Sequence, residues 1–86
     1  MENATLAREL LRQARAMAAQ GENLYRVRAY RRAAAEILGL DRPVSAIVAA
    51  EGVRGLRALP GIGPSLAKTV AALADGLNEP VGSSAG

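Results

Sequence analysis

The sequence predicts an all-α fold, a compact bundle of four to five short helices within one domain. Half of the 86 residues are hydrophobic, which is enough apolar surface for a packed core of this size. Tyr25 and Tyr30 are the only aromatic residues, so Leu, Ile, Val, Met and Ala must build that core. Alanine has the highest helix propensity and lets helices approach closely, which favours a helical bundle over a sheet.

The first predicted helix begins after Asn3 or Thr5 and runs to about Gln20, where Gly21 supplies the left-handed residue that often ends a helix. Apolar residues recur there at helical spacing and predict one buried stripe: Leu6, Leu10, Leu11, Ala14, Met17 and Ala18. A second face carries three arginines at the same spacing, Arg8, Arg12 and Arg15. We interpret that face as solvated rather than as a stripe of phosphate contacts.

The second helix is predicted over residues 24–38, with Asn23 as its N-cap and Gly39 at its end. Its predicted buried side consists of Val27, Tyr30, Ala34, Ile37 and Leu38. Four arginines crowd two of its turns, Arg26, Arg28, Arg31 and Arg32. Only Glu36 stands in line to offset Arg32, so the like charges repel one another. This clustering, in a chain of net charge +3, indicates an anionic partner.

Three further helices are predicted after a turn at residues 41–43, in which Pro43 opens the next helix. They cover residues 44–50, ended by Gly52; residues 53–58; and a stretch from Pro64 or Ser65 to Asp75, ended by Gly76. The last has an apolar face of Leu66, Ala67, Val70, Ala71, Leu73 and Ala74. Residues 1–77 therefore form the domain, and residues 78–86, rich in Gly, Ser and Pro, are predicted to be a flexible tail or linker.

A glycine-rich hairpin spans residues 59–65, between the last two helices. Gly61 and Gly63 permit positive φ and leave no side chain between the backbone and a ligand, while Ile62 is expected to pack into the core. The hairpin amides and the helix N-terminus then face outward, with the unsatisfied donors and partial positive charge that suit a phosphate. Because backbone amides do not read base identity, binding there is expected to be independent of sequence. An ordinary helix-to-helix turn also favours Pro and Gly, but the following residues 66–70 make the pattern more specific.

Residues 59–70, LPGIGPSLAKTV, resemble the helix-hairpin-helix motif of DNA repair and replication proteins almost residue for residue. Residues 21–34, GENLYRVRAYRRAA, are similar to the second-helix signature of family X DNA polymerases. The resemblance covers about residues 6–76 and is to the small N-terminal domain of the DNA polymerase beta type, which carries a 5'-deoxyribose-phosphate lyase. Leu24 departs from the pattern, since bacterial members usually have proline there.

The resemblance implies that Arg26 meets a 5'-phosphate in a pocket lined by Tyr30. It also implies that a Na⁺ or K⁺ ion bridges hairpin and phosphate, held by the carbonyls of Arg57, Leu59 and Ile62. The lyase lysine falls on Thr69, which has no amine to form an imine, and a second phosphate-binding lysine falls on Ser65. Lys68 is adjacent to Thr69, but one residue rotates a helical side chain by about 100°, so we expect Lys68 to contact phosphate.

Several function classes are excluded by composition. Without cysteine or histidine, the chain has no disulfide, no usual zinc site and no histidine-based catalytic triad. It also has no clustered aspartates for two magnesium ions and no palm domain, so this chain is not itself a polymerase. No apolar run is long enough to span a membrane and no signal-peptide pattern begins the chain, so we expect a cytoplasmic protein, nucleoid-associated if bacterial.

The sequence therefore predicts a monomeric, non-catalytic module that binds DNA independently of sequence in repair or replication, at gaps, nicks or 5'-phosphate ends. No cofactor is required, and a polymerase or another repair protein is the expected protein partner. The predicted DNA contacts are Arg26, Arg28, Tyr30, Arg31, Arg32, Gly61, Ile62, Gly63, Ser65 and Lys68. Two alternatives stay open at this point: an abasic-site or deoxyribose-phosphate lyase using Lys68 or the N-terminal amine, and a module whose arginine helix meets an acidic protein. RNA in place of DNA, and a place at the head of a longer polymerase, are also compatible with the sequence.

Overall fold

Five helices make up the fold in the computed structural model, which describes residues 2–77. They are α1 (Glu2–Ala19), α2 (Leu24–Leu38), α3 (Val44–Glu51), α4 (Val53–Arg57) and α5 (Pro64–Leu77). No strand occurs among the described residues, so the all-α prediction is confirmed. The predicted tail, residues 78–86, lies outside the described part. Across residues 2–77, no helix has the length and apolar character that crossing a membrane requires.

The core lies where α1 and α2, which pack extensively on each other, meet the group formed by α3, α4 and α5. Its largest fully buried side chains are aliphatic and come from all five helices: Leu6, Leu10, Val27, Ile37, Val44, Leu56 and Val70. Small residues such as Ala14, Ala33 and Ala67 fill the remaining contacts between helices. The composition therefore predicts the chemistry of the core correctly.

The connection between α1 and α2 has the hydrogen bonds of a Schellman motif. The amide of Glu22 donates to the carbonyl of Met17 at 2.9 Å, and the amide of Gly21 donates to Ala18 at 3.2 Å. Gly21 has a φ of 74°, as its predicted role at the helix end requires. Asn23 then caps α2, because its side-chain oxygen accepts a hydrogen bond of 2.8 Å from the amide of Tyr25. The predicted bounds of α2 are confirmed.

The start of α1 differs from the prediction, because Asn3, one of the two residues after which the helix was expected to begin, lies inside α1 and caps α3. Asn3 accepts a hydrogen bond of 3.0 Å from the amide of Val44 and donates one of 2.8 Å to the carbonyl of Arg42. The carboxylate of Glu2 accepts from the amide and the hydroxyl of Ser45, both at 2.8 Å. Helix α1 therefore begins at Glu2 rather than after Asn3 or Thr5, and it fastens the N-terminus of α3.

Four smaller predictions are also wrong. Leu38 is 57% exposed rather than buried, because it is the last residue of α2 and lies one residue beyond Ile37, which reaches the core. Ala18 is exposed near the end of α1. Helix α5 continues through Gly76 to Leu77, since a glycine inside a helix costs only about 1 kcal/mol. Helix α4 ends at Arg57, one residue earlier than predicted.

Candidate nucleic-acid interface

The hairpin between α4 and α5 is a tight turn that anchors itself in the core. The amide of Ile62 donates to the carbonyl of Leu59 at 3.2 Å, which closes a four-residue turn. Gly61 has a φ of 81° at the third position and Pro60 stands at the second, as in a type II turn. Ile62 is 3% exposed, so its predicted packing is confirmed. Positive φ was also predicted to be available to Gly63, but among residues 2–77 only Gly21, Gly52 and Gly61 adopt it.

The N-terminus of α5 presents backbone donors to solvent. Helical hydrogen bonding begins with the amide of Ala67, which donates to the carbonyl of Gly63 at 2.8 Å. Within the described residues, the amides of Gly61, Gly63, Ser65 and Leu66 donate to no protein acceptor. Such amides, together with the positive end of the helix dipole, form a site for an anion.

The arginine helix α2 touches this hairpin through one side chain. A Cβ atom placed on Gly61 would lie 2.6 Å from Cδ and 2.7 Å from Cγ of Arg32. The aliphatic stem of Arg32 therefore rests on Gly61, where any side chain would collide with it. This contact joins two sequence motifs that are about 30 residues apart into one surface.

Two adjoining cavities lie between α2 and the hairpin. The larger, about 520 Å³, is lined by Tyr25, Arg28, Ala29, Arg32, Gly61, Gly63, Pro64, Ser65 and Leu66. The smaller, about 250 Å³, is lined by Arg26, Ala29, Tyr30, Ser65 and Leu66. Because Ala29, Ser65 and Leu66 line both, the cavities form one continuous groove, which we call the hairpin groove. Most of the predicted site residues therefore share this surface.

The charge of the hairpin groove is not neutralised by the protein. In the described part of the chain, the ion pairs are Arg12 with Glu9 and Arg42 with Glu51, and neither involves an arginine of the groove. Arg26, Arg28 and Arg32 are all exposed. The Arg26 guanidinium carbon lies 6.0 Å from the centroid of the Tyr30 ring, a distance at the limit for a cation–π contact. Tyr30 itself is 7% exposed and also belongs to the core.

Three predicted contacts do not line the groove: Arg31 and Lys68, which are exposed, and Ile62, which is buried in the core. Tyr25, by contrast, lines the groove and was not predicted to do so. Thr69, at the position of the family's lyase lysine, is half-buried, and its hydroxyl donates to the carbonyl of Ser65 at 3.3 Å. Tyr25 lines the larger cavity and is 82% exposed. Tyr25 precedes Arg28 by three residues and Arg32 by seven. This helical spacing is the sequence signal that could have placed Tyr25 on the same face of α2 as these two arginines.

The carbonyl groups that the resemblance assigns to a cation are compatible with one. Within residues 2–77 the carbonyls of Arg57 and Ile62 accept no hydrogen bond, and that of Leu59 accepts one, from Ile62. Neutral oxygens with free lone pairs are suitable ligands for Na⁺ or K⁺. By contrast, no three acidic side chains of the described chain gather into a metal site.

Comparison with known proteins agrees with the hairpin geometry. A family model described as "Helix-hairpin-helix domain" matches residues 1–76, nearly the whole chain. No curated protein and no solved structure matches the chain at a significant level. Domains of the matched kind generally bind nucleic acid. The chain is therefore a member of the helix-hairpin-helix domain family.

Proposed function

We propose that this domain binds the sugar-phosphate backbone of DNA in the hairpin groove, independently of base sequence. One observation carries the proposal: the stem of Arg32 lies on Gly61, so that unpaired arginines and unengaged amides share a single concave surface. Arginine offers a planar fork that donates two hydrogen bonds to one phosphate, and backbone amides add donors of fixed direction. None of these groups distinguishes one base from another when it contacts phosphate.

The shape of the groove favours a DNA end, gap or nick. The smaller cavity, with Arg26, Tyr30 and Ser65 at its walls, has room for a 5'-phosphate, whose extra negative charge strengthens its attraction to Arg26. The exposed ring of Tyr25, beside Arg28 at the larger cavity, offers a stacking surface for an unpaired base. These two features support the narrower proposal of a repair or replication module of the family X N-terminal type. In it, the carbonyls of Arg57, Leu59 and Ile62 would hold a monovalent cation that offsets phosphate charge.

We propose no lyase chemistry for this domain. A lyase of this type needs an amine beside the 5'-phosphate, but the residue one helical turn after Ser65 is Thr69, which has no amine. The neighbouring Lys68 is exposed, and its side chain leaves the helix in a direction about 100° away from that of Thr69. Borohydride reduction in the presence of abasic DNA tests the alternative: an adduct that disappears in Lys68→Ala would establish a lyase.

The decisive test of the binding mode compares Arg28→Ala with Arg31→Ala. Both changes remove one positive charge from the same helix, but only Arg28 lines the groove. Fluorescence anisotropy with a nicked duplex should show that Arg28→Ala lowers the affinity at least several-fold. The slope of log K against log salt concentration should also become smaller by about 1 in this variant. Arg31→Ala should lower the affinity less. Equal losses would indicate attraction to the net charge of the domain and no specific use of the groove.

A further inference from the structure

A second groove lies between α1 and the C-terminal turns of α5. Its volume is about 550 Å³, and its lining combines an apolar floor with a charged rim. The floor consists of Leu6, Ala72, Leu73 and Leu77, and the rim of Arg8, Glu9, Arg12 and Arg15. We infer that this surface, the α1–α5 groove, docks an amphipathic segment of a partner protein that carries carboxylates beside its apolar side chains.

The floor of the α1–α5 groove suits an apolar side chain of the partner. Leu77 is 48% exposed and Leu73 is only partly buried, whereas Leu6, which also lines the groove, is fully buried. A groove with an aliphatic floor removes apolar surface from water when a partner's leucine or similar residue enters it. An amphipathic helix laid into an apolar groove is a common form of peptide recognition.

The rim of the α1–α5 groove suits negatively charged groups of the partner. Arg8, Arg12 and Arg15 stand on one face of α1 over about 10 Å, at 1.5 Å per residue. Glu9 is already engaged, since its carboxylate lies 2.7 Å from the Arg12 guanidinium. Among the described residues, Arg8 and Arg15 have no ion-pair partner, and three arginines less one glutamate leave a charge of +2 on the rim. Carboxylates about two helical turns apart would complement Arg8 and Arg15.

The observations favour a protein over a second stretch of DNA. Phosphate binding uses donors and charge and has no need of an aliphatic floor. The end of α5 at this groove is the negative end of the helix dipole, the opposite of its N-terminus at the hairpin. On α5, the centres of the two grooves are about ten residues apart, or roughly 15 Å along the helix axis, and the nearest lining residues are Leu66 and Ala72. A partner and DNA can therefore be accommodated at the same time.

The test uses the full chain and a fluorescent amphipathic helical peptide of about 15 residues, with leucines at i, i+3, i+4 and i+7 and glutamates on the flanks. We expect saturable binding that weakens at least tenfold in the Arg8→Gln/Arg15→Gln variant, while affinity for a nicked duplex changes less than twofold. A peptide with lysines in place of the glutamates should not bind. The matched control, Arg28→Gln/Arg32→Gln, should lose affinity for DNA and keep its affinity for the peptide. A failure of the peptide proposal can therefore be distinguished from a failure of the proposed DNA binding.

Three results would overturn the inference. The first is an equal peptide affinity in wild type and Arg8→Gln/Arg15→Gln, with thermal unfolding showing that both are folded. It would mean that the arginines of the rim do not contribute to peptide binding. DNA affinity lost in that variant would assign the arginines to a nucleic-acid surface. A dimer in sedimentation velocity that the same substitutions dissociate would make a second copy of the chain the occupant.

Discussion

The two sides of the hairpin groove, helix α2 and the hairpin, are in contact through single residues, and Gly61 is the most constrained of these. It has a φ of 81°, and the stem of Arg32 occupies the space that a side chain would need. Gly63, two residues on, has no positive φ and nothing within 4 Å of an added Cβ. The sequence predicts two equivalent glycines, and the structure separates one that the fold requires from one that is open to solvent.

Gly61→Ala should therefore destabilise the domain by about 1–2 kcal/mol, the cost of a left-handed alanine, and displace Arg32 from the groove. Gly63→Ala should change the free energy of unfolding by less than about 0.5 kcal/mol. Urea denaturation of both variants provides the measurement. Equal destabilisation would show that the contact between Arg32 and Gly61 does not constrain the hairpin.

A second prediction at this scale concerns the Glu9–Arg12 pair. The hydrogen bond from Arg12, followed by that from Gln13, lowers the pKa of Glu9 from 4.5 to about 2. A carboxylate with a lowered pKa in the folded state stabilises the protein above the unfolded value, and this contribution is lost as the pH falls from about 4.5 to 2. Because both side chains are substantially exposed, the pair contributes less than about 1 kcal/mol.

Comparing the free energy of unfolding of wild type and Glu9→Gln between pH 7 and pH 2 checks this contribution. The wild type should be the more stable protein at pH 7, and the difference should vanish toward pH 2. A difference that persists unchanged at pH 2 would rule out the ionised pair as its source.

At the scale of the elements, local signals in the sequence predict the boundaries of α2 and the existence of all five helices. Asn23 and Gly39 bracket α2, and Gly21 and Gly52 end the helices before them, because caps and left-handed residues act on their immediate neighbours. The start of α1 was predicted wrongly for the opposite reason. Asn3 and Glu2 bond to residues about 40 positions away, and no local pattern reports such a partner.

Asn3→Ala should accordingly destabilise the domain as a helix-cap mutation does, by about 1–2 kcal/mol, although Asn3 lies inside α1 and alanine has the higher helix propensity. The loss would come from the uncapped amide of Val44 and the broken bond to Arg42. Thermal or urea unfolding measures it, with Gln13→Ala, also within α1, as the comparison. A neutral or stabilising Asn3→Ala would show that α3 holds its N-terminus without α1.

For the whole molecule, the sequence identifies both motifs of the hairpin groove but not the way in which they meet. The arginine cluster and the Gly61–Gly63 hairpin each indicate an anion from their own residues. Their contact through Arg32, and the inclusion of Tyr25, depend on how α2 packs beside α5, which is a property of the tertiary structure. The same packing leaves the α1–α5 groove at the other end of α5, where the sequence predicts only a solvated arginine face.

The central claim is that the hairpin groove recognises the DNA backbone at an interrupted strand. The most direct measurement is the affinity for a short gapped duplex with a 5'-phosphate, against the same duplex intact, over a range of salt concentrations. We predict tighter binding to the gapped duplex, an affinity that falls steeply with salt, and loss of the preference in Arg26→Ala. Equal and negligible binding to both duplexes, or an affinity that does not change with salt, would contradict the account.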